Sequence, residues 1–269
     1  MTITASLVLY RNASDLFEEA IRSVIDSDDE AILSIVDNSP EPLVSDYFQH
    51  PRVLYHHAGA NLGFGAAHNR AFAAVNAQSS VHFIINPDIS FGPTVLGTLA
   101  RVFEDSTVMA AMPAIHDEDD VPQNLCKALP TPVHLIVRRF VPFDGIRDAI
   151  DKTYEFRDLP TWGLVDIPNL SGCFLAIRSS AFAKVGGFDE GFFMYMEDID
   201  LVRRLGDQGR TVYVPGTKIY HGHARSSYRF GRLMFVHIRS ALRYFRKWGW
   251  VYDRTRRVRN AAARRTLAS

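Results

Sequence analysis

Five carboxylates fall within twelve residues of this chain, at Asp189, Glu190, Glu197, Asp198 and Asp200, and Phe188, Phe192, Phe193 and Tyr195 are set around them. Apolar rings beside a carboxylate exclude water and raise its pKa toward neutrality, which suits a general base. Asp198 heads a predicted helix whose Leu201, Val202 and Leu205 share one face. It is therefore either the N-cap of that helix, with acids in the first turn, or the base itself. A cap needs one acid, and five weigh toward the base. Asn86-Pro87-Asp88 follows the apolar run Val81 to Ile85 and precedes Ile89. It reads as a plain turn or as a carboxylate presented at a strand end. The run from Ala60 to Asn69, with Asn61, Gly63, Phe64 and Gly65, is a small-residue loop entering a helix. Its glycines serve either tight packing or the approach of backbone amides to an anion. It matches neither the dinucleotide nor the Walker glycine pattern. His221-Gly222-His223 ends a predicted strand; His-x-His alone is weak evidence of metal, but with Asp88 it would complete a hard-metal or diphosphate site. No Ser-His-Asp or Cys-His set argues for a covalent nucleophile.

The elements that must position these groups alternate. Ile3 to Leu9, Ala31 to Val36, Val53 to His57 and Val81 to Ile85 are apolar runs of strand length. Between them lie helices, one after Ser14 as N-cap and one from Gly65 to Ala77. This order predicts an α/β domain with a largely parallel sheet, and ligands then gather at the carboxyl ends of its strands, where Asp37 and Asp88 stand. A helix from Pro93 to Phe103 and a strand from Val108 to Pro113 follow, then loops from His116 to Pro168 around a cleft. Structure returns with a strand at Cys173 to Ile177, the Gly186-Gly187 turn, and short strands at Thr211 to Val214 and Lys218 to His221.

Composition bounds the rest. At 269 residues, 47% apolar and 22% charged, the chain can bury a full core and is not disordered, collagenous or coiled-coil. No run approaches the roughly 18 uncharged apolar residues of a membrane span, and no basic segment precedes the apolar start, so a cytoplasmic protein is expected. Cys126 and Cys173 are too isolated for a disulfide framework or a zinc site and suit core packing. The net charge of zero hides a split: from Arg225 onward 13 basic residues accompany one acid, Asp253, leaving +12 there and −12 before it. Such a tail implies an anionic partner. Its Phe230, Leu242, Tyr244, Phe245, Trp248 and Trp250, interleaved with arginines, would lie on an anionic leaflet, pack on the body, or do both. Nucleic acid fits less well, because the body is acidic and no recognition motif is present.

In order along residues 3 to 227, the chain resembles glycosyltransferase family 2, and within it the bacterial rhamnosyltransferase-like branch. The resemblance rests on Ile35-Val36-Asp37-Asn38-Ser39, Asn61-Leu62-Gly63-Phe64-Gly65 with Asn69, Asn86-Pro87-Asp88, Ser171-Gly172-Cys173-Phe174, Gly187-Phe188-Asp189-Glu190, the run Tyr195 to Leu201, and His221 five residues before Ser226. It implies a GT-A fold over residues 1–226, a Rossmann-like α/β unit with a mixed, mostly parallel sheet flanked by helices, and a basic aromatic helical tail at 227–269. It implies inverting transfer of a sugar, L-rhamnose from dTDP-L-rhamnose, to a saccharide or lipid-linked saccharide in cell-surface polysaccharide synthesis. The same fold with a UDP-sugar such as galactofuranose or N-acetylglucosamine is the alternative, and a non-catalytic nucleotide-binding subunit of an assembly complex is a third. By that likeness Asp37 bonds the pyrimidine, and Asn38, Asn61, Gly63, Phe64, Gly65, Asn69 and Asn86 form the donor side. Asp88 takes the last position of the family's Asp-x-Asp motif and, with His221, would hold Mg²⁺ or Mn²⁺; Asn86 in the first position leaves one fewer charged ligand. Asp198 would be the base, Glu197 would shape the acceptor pocket, and Asp189, Glu190 and Tyr195 would lie on the acceptor side. The expected location is the cytoplasm, with the basic tail on the inner face of the membrane.

Overall fold

The computed structural model describes residues 1–27, 30–135, 144–222 and 232–268. Strands β1 (Ile3–Leu9), β2 (Ile32–Asp37), β3 (Val53–His57) and β4 (Val81–Ile85) pair in parallel in the spatial order β3-β2-β1-β4. Helices α1 (Ser14–Ile25) and α2 (Phe64–Ala73) connect them. All five residues of β4 are buried, as expected of a central strand covered on both faces.

Beyond β4 the sheet reverses. The remaining strands are β5 (Ile89–Ser90), β6 (Val108–His116), β7 (Val165–Asp166), β8 (Phe174–Arg178) and β9 (Arg210–His221). Strand β8 runs antiparallel to both β4 and β6, β9 runs parallel to β6, and β5 and β7 pair antiparallel with β9. The pairing of Ile89 with His221 fixes the site, because it sets Asp88, one residue before β5, beside the end of β9. The Gly222 amide donates to the Asp88 carbonyl at 2.7 Å and locks that register.

Several boundaries differ from expectation. The two strands predicted at 211–214 and 218–221 are one, β9, whose pairing with β6 shifts register past Val214. Ser14 is the first helical residue of α1 rather than its cap, which is Ala13. Helix α2 stops at Ala73, and a 3-10 turn, Asn76–Gln78, replaces its predicted last turn. The helix expected at 93–103 is α3 (Val95–Arg101) followed by a 3-10 turn. The predicted loop region contains α4 (Asp144–Tyr154), whose Ile146, Ile150 and Tyr154 stand four residues apart, a helical spacing set among the prolines and acids of the surrounding stretch. Helix α5 (Ser179–Lys184) is too short to give a periodic signal.

After α6 (Glu197–Leu205) and β9, the tail forms α7 (Arg232–Trp248) and α8 (Arg254–Ala268). Among the described residues it packs on the body. Tyr244 and Phe245 join Leu129, Phe192, Met196 and Ile199 in a second core beneath α6. Arg203 on α6 makes a bidentate pair with Asp253 at 2.6 and 2.7 Å, both side chains almost wholly buried, and its guanidinium lies 4.1 Å from the Trp248 ring centroid. Asn260 brackets the backbone of Leu129, accepting from its amide at 2.8 Å and donating to its carbonyl at 3.0 Å. Cys126 and Cys173 are free and buried.

Candidate active site

A cleft of about 410 Å³ opens between the strand ends and the start of α6. Phe64, Asn86, Gly172, Glu197, Asp198 and His221 line it, so residues from five sequence segments meet there.

On the strand-end side the polar groups are heavily engaged. Asp37 accepts from the amides of Ser39 and Leu43, both at 2.8 Å, and from the Tyr55 hydroxyl at 2.7 Å. Burial would push its pKa up, but these hydrogen bonds outweigh burial and hold it below the usual carboxylate range. Asp37 is wholly buried and anchors its loop, so any base contact must use its remaining acceptor capacity. Asn38 next to it donates to the Gly63 carbonyl at 3.2 Å and to Asn61 at 3.4 Å, and Asn61 accepts from the Gly63 amide at 3.0 Å. Gly63 has φ +89, and a Cβ there would stand 2.4 Å from the Phe193 carbonyl oxygen. That same oxygen accepts from the Phe64 amide at 3.0 Å, so the loop is sewn to the segment preceding α6.

Gly65 and Asn69 serve packing. A Cβ on Gly65 would meet the Phe188 side chain at 2.7 Å. Asn69 pairs with the Phe188 backbone in both directions, at 2.8 and 3.0 Å, and its amide also donates to Glu190 at 3.0 Å. Glu190 is thus tied to α2. Asp189 is tied to α7, through Arg243 at 2.7 Å and Lys247 at 2.9 Å; against the effect of burial, these cations lower its pKa to about 2. Neither acid lines the cleft, whereas Tyr195 does.

The start of α6 is built differently. Tyr195 and Met196, neither of them glycine, both take left-handed conformations at φ +70 and +68. Such geometry is strained in residues with a side chain. It turns the chain sharply so that Glu197 and Asp198 enter the helix beside the cleft. Met196, not Asp198, occupies the cap position. Asp198 Oδ2 instead accepts from the Gly172 amide at 3.0 Å, and Oδ1 from the Ile199 amide at 2.8 Å. A Cβ on Gly172 would lie 2.9 Å from that of Asp198, which gives the Ser171-Gly172-Cys173 segment its role. Burial raises the pKa of Asp198, and the two amides and the charge of Lys127 offset part of the rise. Burial and the charge of Asp198 raise that of Glu197, whose Oε2 is buried with no hydrogen-bond partner among the described residues. Asp200, by contrast, is ion-paired with Arg204 and Lys247, each at 2.8 Å, and accepts a hydrogen bond from the Trp248 indole at 2.8 Å.

Asp88 and His221 are brought together: Nε2 lies 3.3 Å from Asp88 Oδ1. The Gln123 amide group donates to the His221 carbonyl at 3.1 Å, and its oxygen faces His221 Nδ1 at 3.0 Å. With Nδ1 as the donor, Nε2 of a neutral ring turns a lone pair toward a carboxylate. A cation shared by the two relieves that contact, and an oriented histidine beside an anionic oxygen is a usual pair of metal donors. The residues therefore fit a divalent cation, and among the described residues no group of three His, Cys, Asp or Glu is assembled. His223 and Ser226 lie outside the described residues. Leu135, Tyr154 and His237, which line the cleft, and Gln123, which holds His221, carried no sequence signal, because long loops and the tail bring them there.

The glycosyl transferase family 2 profile matches residues 7–186, and that of the N-terminal domain of galactosyltransferase matches 163–225. N-acetylglucosaminyl-diphospho-decaprenol L-rhamnosyltransferase of Mycobacterium tuberculosis is 33% identical over 198 residues, 67% of this chain and 62% of that protein, so the chain spans somewhat under two thirds of that relative. Rhamnosyltransferase WbbL of Escherichia coli is 30% identical, over 73% of this chain and 75% of WbbL. Among solved structures, GalNAc-T7 with UDP, GalNAc and Mn²⁺ superposes with TM-score 0.62 at 13% identity, covering 92% of this chain and 48% of that one. The mannosyltransferase PcManGT of Pyrobaculum calidifontis with GDP-Man and Mn²⁺ gives 0.57 at 15%, covering 99% and 74%. These neighbours share the GT-A fold.

Proposed function

Since the chain belongs to glycosyltransferase family 2, we propose that it moves L-rhamnose from dTDP-L-rhamnose to a hydroxyl of a lipid-linked saccharide in assembly of a cell-surface polysaccharide. The observation that carries this reading is one cleft lined by Asp198 and Glu197, whose pKa values burial raises, together with Asn86 and His221. A sugar hydroxyl is a poor nucleophile at neutral pH, and a carboxylate of raised pKa in a half-dry cleft can take its proton as it attacks. A single displacement with a single base inverts the anomeric carbon, and no covalent nucleophile is required. Asp198 keeps its orientation through Gly172 and Ile199 and retains lone pairs for an acceptor hydroxyl. Glu197 shapes the acceptor pocket beside it. Asp88 and His221 would hold Mg²⁺ or Mn²⁺, with Gln123 fixing the histidine ring. Such an ion, when bound, offsets negative charge gathering on a diphosphate leaving group. The two rhamnosyltransferase relatives support the donor, and the decaprenol-linked acceptor in one of their names supports the acceptor class and a peripheral place at the membrane. No helix among the described residues is long and apolar enough to cross a bilayer.

Calorimetric titration with dTDP and with UDP, each with and without Mn²⁺, tests the donor. Metal-dependent binding of dTDP in preference to UDP is expected. Preference for UDP would transfer the assignment to a UDP-sugar, and binding of neither would overturn the transferase reading.

A further inference from the structure

Helix α7 has an outward strip that neither the fold nor the cleft uses. Phe235, Ile238, Arg239, Leu242 and Arg246 recur at helical spacing along one side. Phe235 is 72% exposed, Ile238 42% and Leu242 38%. With Arg243 they line a groove of about 770 Å³ whose other wall is Asp189 and Gly191. The turn that follows α7 exposes Trp250, Val251 and Tyr252. From Arg232 to Ala268 the only acid is Asp253, which is buried against Arg203, so the tail presents no carboxylate of its own to solvent.

Large apolar side chains held in water between guanidinium groups match one environment closely. In the headgroup layer of an anionic bilayer the apolar chains leave water while the arginines meet phosphates at nearly the same depth. The strip is one side chain wide and interrupted by an arginine at each turn, which suits that layer better than a continuous apolar protein interface. Another side of the same helix faces the cleft: His237, two residues from Phe235, lines it, with its ring 5.1 Å from that of Tyr195. We propose that the Phe235 to Arg246 strip docks the enzyme on an anionic membrane and thereby holds the cleft, whose Tyr195 and His237 edge lies across α7 from the strip, about one helix diameter from the headgroups and near lipid-linked acceptor. Only the acceptor clause rests on the function proposed above; the docking clause stands on the helix.

Co-sedimentation of the full chain with phosphatidylcholine vesicles, with and without phosphatidylglycerol, tests it. Binding is expected only with phosphatidylglycerol and is expected to fall as salt rises. The double variant Arg239→Gln/Arg246→Gln, which removes charge from exposed positions and leaves the buried face intact, is expected to lower the partition coefficient about thirtyfold. Ile238→Ser/Leu242→Ser is expected to lower it by at least tenfold, with the thermal midpoint unchanged. Turnover on a water-soluble acceptor should stay at the wild-type level in both. Equal binding to neutral and anionic vesicles, or unchanged partition of the arginine variant, would overturn the proposal. So would absence of vesicle binding in a chain that self-associates through this face. Vesicle binding by a chain with no transferase activity would uphold docking while removing the acceptor clause.

Discussion

The two walls of the cleft treat their polar groups in opposite ways. The strand-end wall meets the cleft through Phe64, Asn86 and His221, and beyond that lining Asp37 is held by three donors, Asn38 and Asn61 knit one loop, and Gln123 orients His221. On the α6 wall, two adjacent non-glycine residues are left-handed, Glu197 has an oxygen with no partner among the described residues, and burial raises the pKa of both Glu197 and Asp198. The first wall has the character of a preorganised binding surface, the second that of a reactive one. A base must gain a proton during the reaction, so a carboxylate saturated with cations would be of little use there. The neighbouring acids make the contrast sharper: in the same twelve residues Asp189 is paired with cations of α7, and Asp200 with Lys247 of α7 and Arg204 of α6 itself. The tail thus supports the reactive wall by taking the acids beside it and leaving Glu197 and Asp198 alone.

Breaking that support should have the largest effect. Asp253→Ala leaves Arg203 buried without its partner, and a loss of about 3–5 kcal/mol in unfolding free energy is expected in denaturant titration. Donor nucleotide binding, which depends on the opposite wall, should survive wherever the protein remains folded. The strand-end wall can be loosened separately. Gln123→Ala frees the His221 ring and should weaken Mn²⁺ affinity by about 10–100-fold in calorimetry with dTDP present.

Glu197→Gln sharpens the comparison from the reactive side. The folded pKa of Glu197 lies above its unfolded value, so the charged form penalises folding; the penalty is absent below the ordinary glutamate range and grows as pH rises toward the raised value. The variant should therefore gain about 1–3 kcal/mol at neutral pH and nothing at acid pH in thermal melts. With one carboxylate removed from the pair, the acid limb of kcat/KM should also move to lower pH. Arg210→Gln, whose pairs with Asp105 and Asp166 are solvent-exposed and distant from both walls, should change stability by less than about 1 kcal/mol and leave turnover unaltered.

The strand-end wall was largely legible in the sequence because its parts are local: an apolar run, then a polar turn, at Asp37 and again at Asp88. The pairing of Asp88 with His221 was also expected, and the register of β5 on β9 supplies the reason. Other assignments depended on long-range packing. Gly65 and Asn69 look like ligand-binding loop residues by letter, yet Phe188, 119 residues from Asn69 in sequence, engages both. Asp189 and Glu190 belong to the same acidic run as Asp198, and only the placement of α7 and α2 separates anchors from cleft residues. Helix α4 had its signal in the four-residue spacing of Ile146, Ile150 and Tyr154, set within a proline-rich and acidic stretch, whereas the contributions of Gln123, Tyr154 and His237 had no motif to announce them.

The central claim is that Asp198 takes the acceptor proton while the opposite wall binds the donor. Asp198→Asn preserves side-chain size, and its effect is read by steady-state transfer alongside calorimetric titration of the nucleotide. The account predicts that kcat falls about 10²–10⁴-fold while dTDP affinity with Mn²⁺ stays within about threefold of wild type. Transfer at a rate close to wild type would contradict it.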